Sequence, residues 1–129
     1  MSKEKKPIRT ISPEDAFKLI EQHRDDSKLI ILDVRPHDEF EIEHIYGAKN
    51  LDYDGHEFRR KIVDYVHEYQ KNSIKKHDNP MENIYIIYCR SGVKGEYFMG
   101  IMKNLGFKTV YNILGGFVGW KVSKLPLVK

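Results

Sequence analysis

Two short, uninterrupted apolar runs constrain this chain more than any other feature. Leu29-Ile30-Ile31-Leu32 and Ile84-Tyr85-Ile86-Ile87-Tyr88 are each of strand length, and no polar residue interrupts them. A strand with one face in water alternates apolar and polar residues. A continuous run suits a strand covered on both faces, as in a parallel sheet. Segments of helical spacing lie before and between the two runs. Ala16, Phe17, Leu19 and Ile20 form one apolar face, and Ile62, Val63, Tyr65, Val66 and Tyr69 form another. Strands that alternate with helices imply parallel pairing. The predicted class is α/β: a central parallel sheet with helices on both faces.

The remaining elements follow from local signals. Residues 1–7 read as a basic tail carrying Lys3, Lys5 and Lys6, and residues 8–129 as one domain. Ile8 to Ile11 is a candidate edge strand. Ser12-Pro13-Glu14-Asp15 is a helix start: a serine cap, proline in the first turn, then acids at the positive end of the helix dipole. A short helix is expected over Asp38 to Glu43, and a turn with a short strand over Gly47 to Leu51. Lys71 to Asn83 is polar and reads as loop. A helix from Glu96 to Leu105 ends at Gly106. Thr109 to Leu114 is a last strand, Gly115-Gly116 a turn, and Val118 to Lys124 a final short helix. In a parallel sheet every strand's carboxyl end lies along one edge, where ligands bind in open α/β folds. That edge would gather Asp33, Tyr53, Asp54, Gly115 and Gly116 around Cys89, with Tyr53 and His56 near the mouth.

Cys89 is the sole cysteine and closes the second apolar run. A lone strand cysteine is most often a small buried hydrophobe. Three features argue for reactivity here. Cys89 stands at the strand's end, Arg90 follows it, and Gly92 and Gly95 permit the positive φ values of a loop curling round an anion. The pattern is buried strand, tight basic turn, helix. It aims backbone N–H groups and a helix N-terminus at the sulfur, which stabilises a thiolate and any anion beside it.

The bulk numbers exclude several classes. With 129 residues, 40% hydrophobic and 32% charged, the chain is long enough for one soluble domain with a real core. A net charge of +3, with no basic stripe interleaved with aromatics, argues against nucleic-acid binding. No stretch is long and apolar enough to span a bilayer. The six histidines show no ligand-like pairing, so no metal site is expected. One cysteine forms no internal disulfide, and the start lacks a signal-peptide pattern; both point to a reducing, cytoplasmic location.

Three segments in order resemble the rhodanese-like sulfurtransferases: ILDVRPHDEFEIEHIYGAKNL (Ile31 to Leu51), IYCRSGVKG (Ile87 to Gly95) and VYNILGGFVGW (Val110 to Trp120). The resemblance runs from about Ser12 to the end. It implies the rhodanese-like α/β fold and a Cys89 nucleophile that carries sulfur as a persulfide. It implies that Arg90, Ser91, Gly92, Val93, Lys94 and Gly95 cradle that sulfur and bind the donor. It implies a scaffold ion pair made by Asp33 and Arg35, and no cofactor or metal. The implied partners are a small anionic donor such as thiosulfate and a cyanide or thiol acceptor, with a protein donor or acceptor as an alternative. His44 is read as a hydrogen-bonded core histidine and Trp120 as a staple for the last helix.

Some positions depart from the family pattern. Glu43 stands where glycine often precedes the histidine, Tyr46 where proline is common, and Lys94 where many single-domain members carry arginine. In related dual-specificity phosphatases the loop is one residue longer, with an arginine at the position of Gly95. A phosphatase loop needs that bidentate arginine to hold a phosphoryl group, so the resemblance favours sulfur transfer over a Cys-dependent phosphatase or arsenate reductase.

Overall fold

A computed structural model of the chain describes residues 7–52, 57–72 and 79–129. Five strands form one sheet: β1 (Ile8–Ile11), β2 (Leu29–Asp33), β3 (Lys49–Asn50), β4 (Ile84–Tyr88) and β5 (Thr109–Ile113). Their order across the sheet is β1-β5-β4-β2-β3, and every pairing is parallel. The helices are α1 (Pro13–Gln22), α2 (His37–Ile42), α3 (Phe58–Asn72), α4 (Val93–Asn104) and α5 (Gly116–Val122). This is the α/β architecture expected from the two apolar runs. Those runs are β2 and β4, which sit side by side in the interior of the sheet, with Ile31 opposite Ile86.

Successive residues of β4 serve opposite faces, as strand geometry requires. Tyr85, Ile87 and Cys89 join Ile30, Leu32, Phe58, Ile62, Phe98 and Met102 in a core under α3 and α4. Ile86 and Tyr88 join Ile31, Ala16, Phe117 and Trp120 in a second core under α1 and α5. Each buried Ile, Leu, Phe or Met side chain among them stabilises the fold by about 1.5–3 kcal/mol on leaving water. Trp120 packs edge-on against Phe17 and donates its indole N–H to Pro126 O at 2.8 Å, tying α5 to α1 and the C-terminal segment.

Several boundaries differ from expectation for local reasons. The α1 start is as predicted: Ser12 Oγ accepts Asp15 N–H at 3.0 Å. Within the stretch read as loop, α3 continues through Asn72, and Pro80–Glu82 form a 3-10 turn capped by the Asn79 side chain on Met81 N–H. The fourth helix begins at Val93, three residues before the predicted Glu96, because Gly92 at φ 94° caps it. The last helix begins at Gly116, two residues before the predicted Val118.

A buried polar knot joins the strand ends. Asp33 and Arg35 are almost wholly buried. Arg35 Nη2 donates to Asp33 Oδ2 at 2.8 Å and to Glu43 O at 2.7 Å, and Nε donates to Asp33 Oδ1 at 3.0 Å. Tyr88 Oη donates to Asp33 Oδ2 at 2.5 Å and accepts Ile45 N–H at 3.1 Å. Asn50 Nδ2 closes the turn by donating to Asp33 O and Arg35 O. The guanidinium lies 3.9 Å from the Phe117 ring centroid. A buried charge is tolerable when it is paired and hydrogen-bonded, and here Nε and Nη2 of Arg35 hold the carboxylate of Asp33 and the carbonyl of Glu43.

Burial, reinforced by the Asp33 charge, pushes the Tyr88 phenol far above its ordinary range. The fold therefore retains the phenol proton while the unfolded chain releases it near pH 10. The stability this supplies is complete below about pH 10 and is lost as pH rises further. Tyr88→Phe is expected to lower unfolding stability by about 1–3 kcal/mol at neutral pH and to remove this part of the alkaline loss. Urea titrations at pH 7 and pH 10.5 test both; an unchanged variant at pH 7 would exclude the knot as a stabilising element.

Candidate active site

Cys89 follows β4 immediately, at the carboxyl edge of the sheet, and is buried at 5% exposure. Its Sγ accepts two backbone N–H groups, from Gly92 at 3.0 Å and from Gly95 at 3.3 Å. The loop turns at Gly92, which caps α4 at φ 94°, so the Gly95 N–H on the sulfur belongs to the first turn of that helix. The positive end of that helix and two amide dipoles thus converge on one sulfur atom, an arrangement that favours negative charge there.

Close packing against the next turn holds this loop. Phe117 N–H donates to Cys89 O at 2.8 Å and Val118 N–H to Arg90 O at 3.0 Å. A methyl on Gly116 would stand 2.5 Å from Cys89 O and 2.7 Å from Gly92 N. A methyl on Gly92 would stand 2.9 Å from Gly115 N. Gly92 and Gly116 also have positive φ, at 94° and 60°. Gly95 does not, contrary to expectation. It lies in the first turn of α4, and its need for glycine is steric: an added Cβ would meet Asn112 Oδ1 at 2.0 Å.

The loop side chains point to different surroundings. Gly92 and Gly95 are buried, whereas Arg90, Ser91, Val93 and Lys94 are exposed. Arg90 forms an ion pair with Glu39, with Nε to Oε1 at 3.3 Å, and this hydrogen bond raises its pKa above the ordinary arginine value. The pair crosses from the loop to α2 and shields the guanidinium's charge. Asp33 and Arg35 stand behind the loop in the buried knot, away from solvent. His44 Nδ1 bonds Phe40 O at 2.8 Å and its ring stacks on Phe40. Tyr53, Asp54 and His56 lie outside the described residues. Sequence reasoning missed Asn112, a buried amide in β5 that donates to Gly92 O at 3.1 Å. Its signal was a polar residue inside the apolar strand segment Val110 to Ile113.

Beside Arg90 lies an open hollow of about 390 Å³ whose lining joins Ile42, Phe117, Val118 and Val122 to the charged residues Arg35, Glu39, Glu43, Arg90 and Lys121. Ile42 and Val122 are 69% and 74% exposed. Among the described residues, no group of three or more His, Cys, Asp or Glu is placed to hold a metal ion, and no helix is long and apolar enough to cross a membrane.

A family model described as "Rhodanese-like domain" matches residues 16–123. The chain belongs to the rhodanese-like family. It is 31% identical over 111 residues to a thiosulfate sulfurtransferase GlpE of Coxiella burnetii, covering 86% of this chain and 85% of the relative. It is 30% identical over 110 residues to a tRNA uridine(34) hydroxylase of Chlamydia trachomatis, covering 85% of this chain and 30% of that larger protein. Among solved structures it is similar to a Rhodopseudomonas palustris protein described as of unknown function and a possible tyrosine phosphatase. That likeness has a TM-score of 0.70 at 22% identity and covers 94% of this chain and 85% of the other. The likeness in structure carries the fold alone.

The packing around Gly116 generates a test. Gly116→Ala introduces both backbone strain and overlap with the Cys89 and Gly92 backbone, so Cys89 alkylation by iodoacetamide slows and the melting temperature falls. Gly47→Ala is the control, since Gly47 has φ 84° but open space where the methyl would sit. It loses about 1–3 kcal/mol from strain alone and keeps the parent's alkylation rate. Equal alkylation rates in both variants would show that the Gly116 contact does not shape the loop.

Proposed function

We propose that the protein is a sulfurtransferase that moves sulfane sulfur from thiosulfate or a similar donor to a nucleophilic acceptor through a persulfide on Cys89. The observation that carries this reading is the pair of backbone N–H groups on Sγ, from Gly92 and Gly95. Such fixed donors stabilise negative charge on sulfur without any general base. In the first half-reaction the Cys89 thiolate attacks the outer sulfur of thiosulfate. The new S–S bond forms as the donor's S–S bond breaks, sulfite leaves with the electron pair, and Cys89 holds the persulfide anion. In the second, cyanide attacks the terminal sulfur, thiocyanate departs, and the thiolate returns. Both steps balance in atoms and charge.

The exposed loop cations Arg90 and Lys94 draw the anionic donor to the mouth, and Ser91 offers a hydroxyl to the outer sulfur. Glu39 competes with that donor for Arg90. A reducing, cytoplasmic setting keeps the single thiol usable.

A second reading has its own support. The open apolar hollow beside Arg90 fits a protein surface better than a small dianion, which favours a carrier that receives persulfide from a partner protein. The phosphatase reading is disfavoured by packing at position 95. The arginine it requires has no room there, since even a Cβ would overlap Asn112.

Steady-state kinetics with thiosulfate and cyanide test the proposal. The parent is expected to form thiocyanate, and Cys89→Ser to form none. Arg90→Ala raises the thiosulfate KM more than it slows transfer from an uncharged donor. Thiocyanate formation by Cys89→Ser would overturn the mechanism. Turnover with a persulfide-loaded protein but not with thiosulfate would select the carrier reading.

A further inference from the structure

Asn112 is 1% exposed in a central strand whose other residues are largely apolar. Placing a carboxamide there is costly unless its atoms are hydrogen-bonded. Two N–H bonds are used. Nδ2 donates to Gly92 O at 3.1 Å and to Thr10 Oγ1 at 3.2 Å. Thr10 in turn donates its hydroxyl to Glu96 Oε2 at 3.2 Å. Gly92 O can only accept, so it dictates which end of the amide faces the loop. The other end, Oδ1, is buried with no hydrogen-bond donor among the described residues and lies against Gly95, where a Cβ would come within 2.0 Å.

Asn112 therefore touches both residues whose N–H groups point at the sulfur. It pulls on the carbonyl of Gly92 and packs on the α-carbon of Gly95. A shape-filling Leu or Val would pack in this strand without an unpaired buried oxygen, so strand packing alone does not explain the amide. We propose that Asn112 is a positioning residue of the sulfur site: it holds Gly92 and Gly95 so that their N–H groups converge on Cys89 Sγ, with Thr10 and Glu96 anchoring its orientation. This rests on the sulfurtransferase reading only for its consequence in turnover. The positioning itself concerns the thiol.

The experiment measures Cys89 alkylation by iodoacetamide as a function of pH in purified full-length protein. Asn112→Asp puts carboxylate oxygens against Gly92 O and the Thr10 hydroxyl oxygen, and Asn112→Ala removes the grip. Both move the midpoint of the alkylation profile to higher pH than the parent's. Each unit of that movement slows alkylation about tenfold at pH below the midpoint, because only thiolate reacts. Ile30→Ala, near the amino end of β2 and away from the carboxyl edge that carries Cys89, is the control for lost stability: its melting temperature falls but its profile is the parent's. Thr10→Val, which removes only the anchoring hydroxyl, moves the midpoint the same way by less, and carries the test if an Asn112 variant does not fold. Folded Asn112 or Thr10 variants with the parent's profile would overturn the proposal and leave Asn112 a structural residue. Absence of thiocyanate formation by the parent would instead sink the functional reading, since alkylation needs only the thiol.

Discussion

The carbonyls of Cys89 and Arg90 accept N–H groups from the first turn of α5, from Phe117 at 2.8 Å and Val118 at 3.0 Å. Much of the site follows from that contact. Once these two carbonyls point toward α5, the chain after Cys89 must turn back, and Gly92 makes the turn at positive φ. The N–H groups of Gly92 and Gly95 then face the sulfur. The contact is so close that the facing residue, Gly116, has no room for a side chain. β4 and β5 are neighbours in the sheet and parallel, so the turns that follow them meet at the same edge. The topology supplies the approach, and the glycines permit it.

The Asp33–Arg35–Tyr88 knot supports the same region from below. Tyr88 is the residue before Cys89, and its hydroxyl reaches across the sheet to Asp33 at the end of β2. Arg35 spans from Asp33 to the carbonyl of Glu43 while its guanidinium lies over the Phe117 ring. One buried cation thus touches the end of β2, the end of α2 and the first turn of α5. Removing one partner of such a group would leave an uncompensated buried charge. The knot also distinguishes Arg35, which is buried, from Arg90, which is exposed and paired with Glu39.

The interior was the most legible part of the sequence. Continuous apolar runs reported β2 and β4, and Ser12-Pro13 reported the start of α1, because each is a local pattern with one physical meaning. The end of β4 and its cysteine were legible for the same reason. The start of α4 was not. Arg90 to Gly95 has two glycines and no apolar periodicity, and only the left-handed conformation of Gly92 reveals that the helix already begins at Val93. The reason for Gly95 was hidden as well, since it depends on Asn112 in another strand. Arg90 with Glu39 is a contact across 51 positions, and no local pattern encodes it. The short 3-10 turn at Pro80–Glu82 has no periodicity to read, and its cap, Asn79, looks like any loop asparagine.

The central claim is that backbone N–H groups at Cys89 hold a transferable sulfur. Intact-mass spectrometry after incubation with thiosulfate tests it most directly. The account predicts a gain of one sulfur atom, about 32 Da as the covalent mechanism requires, removed by cyanide and absent in Cys89→Ser. A parent protein that gains no mass, or a Cys89→Ser variant that gains the same mass, would contradict it.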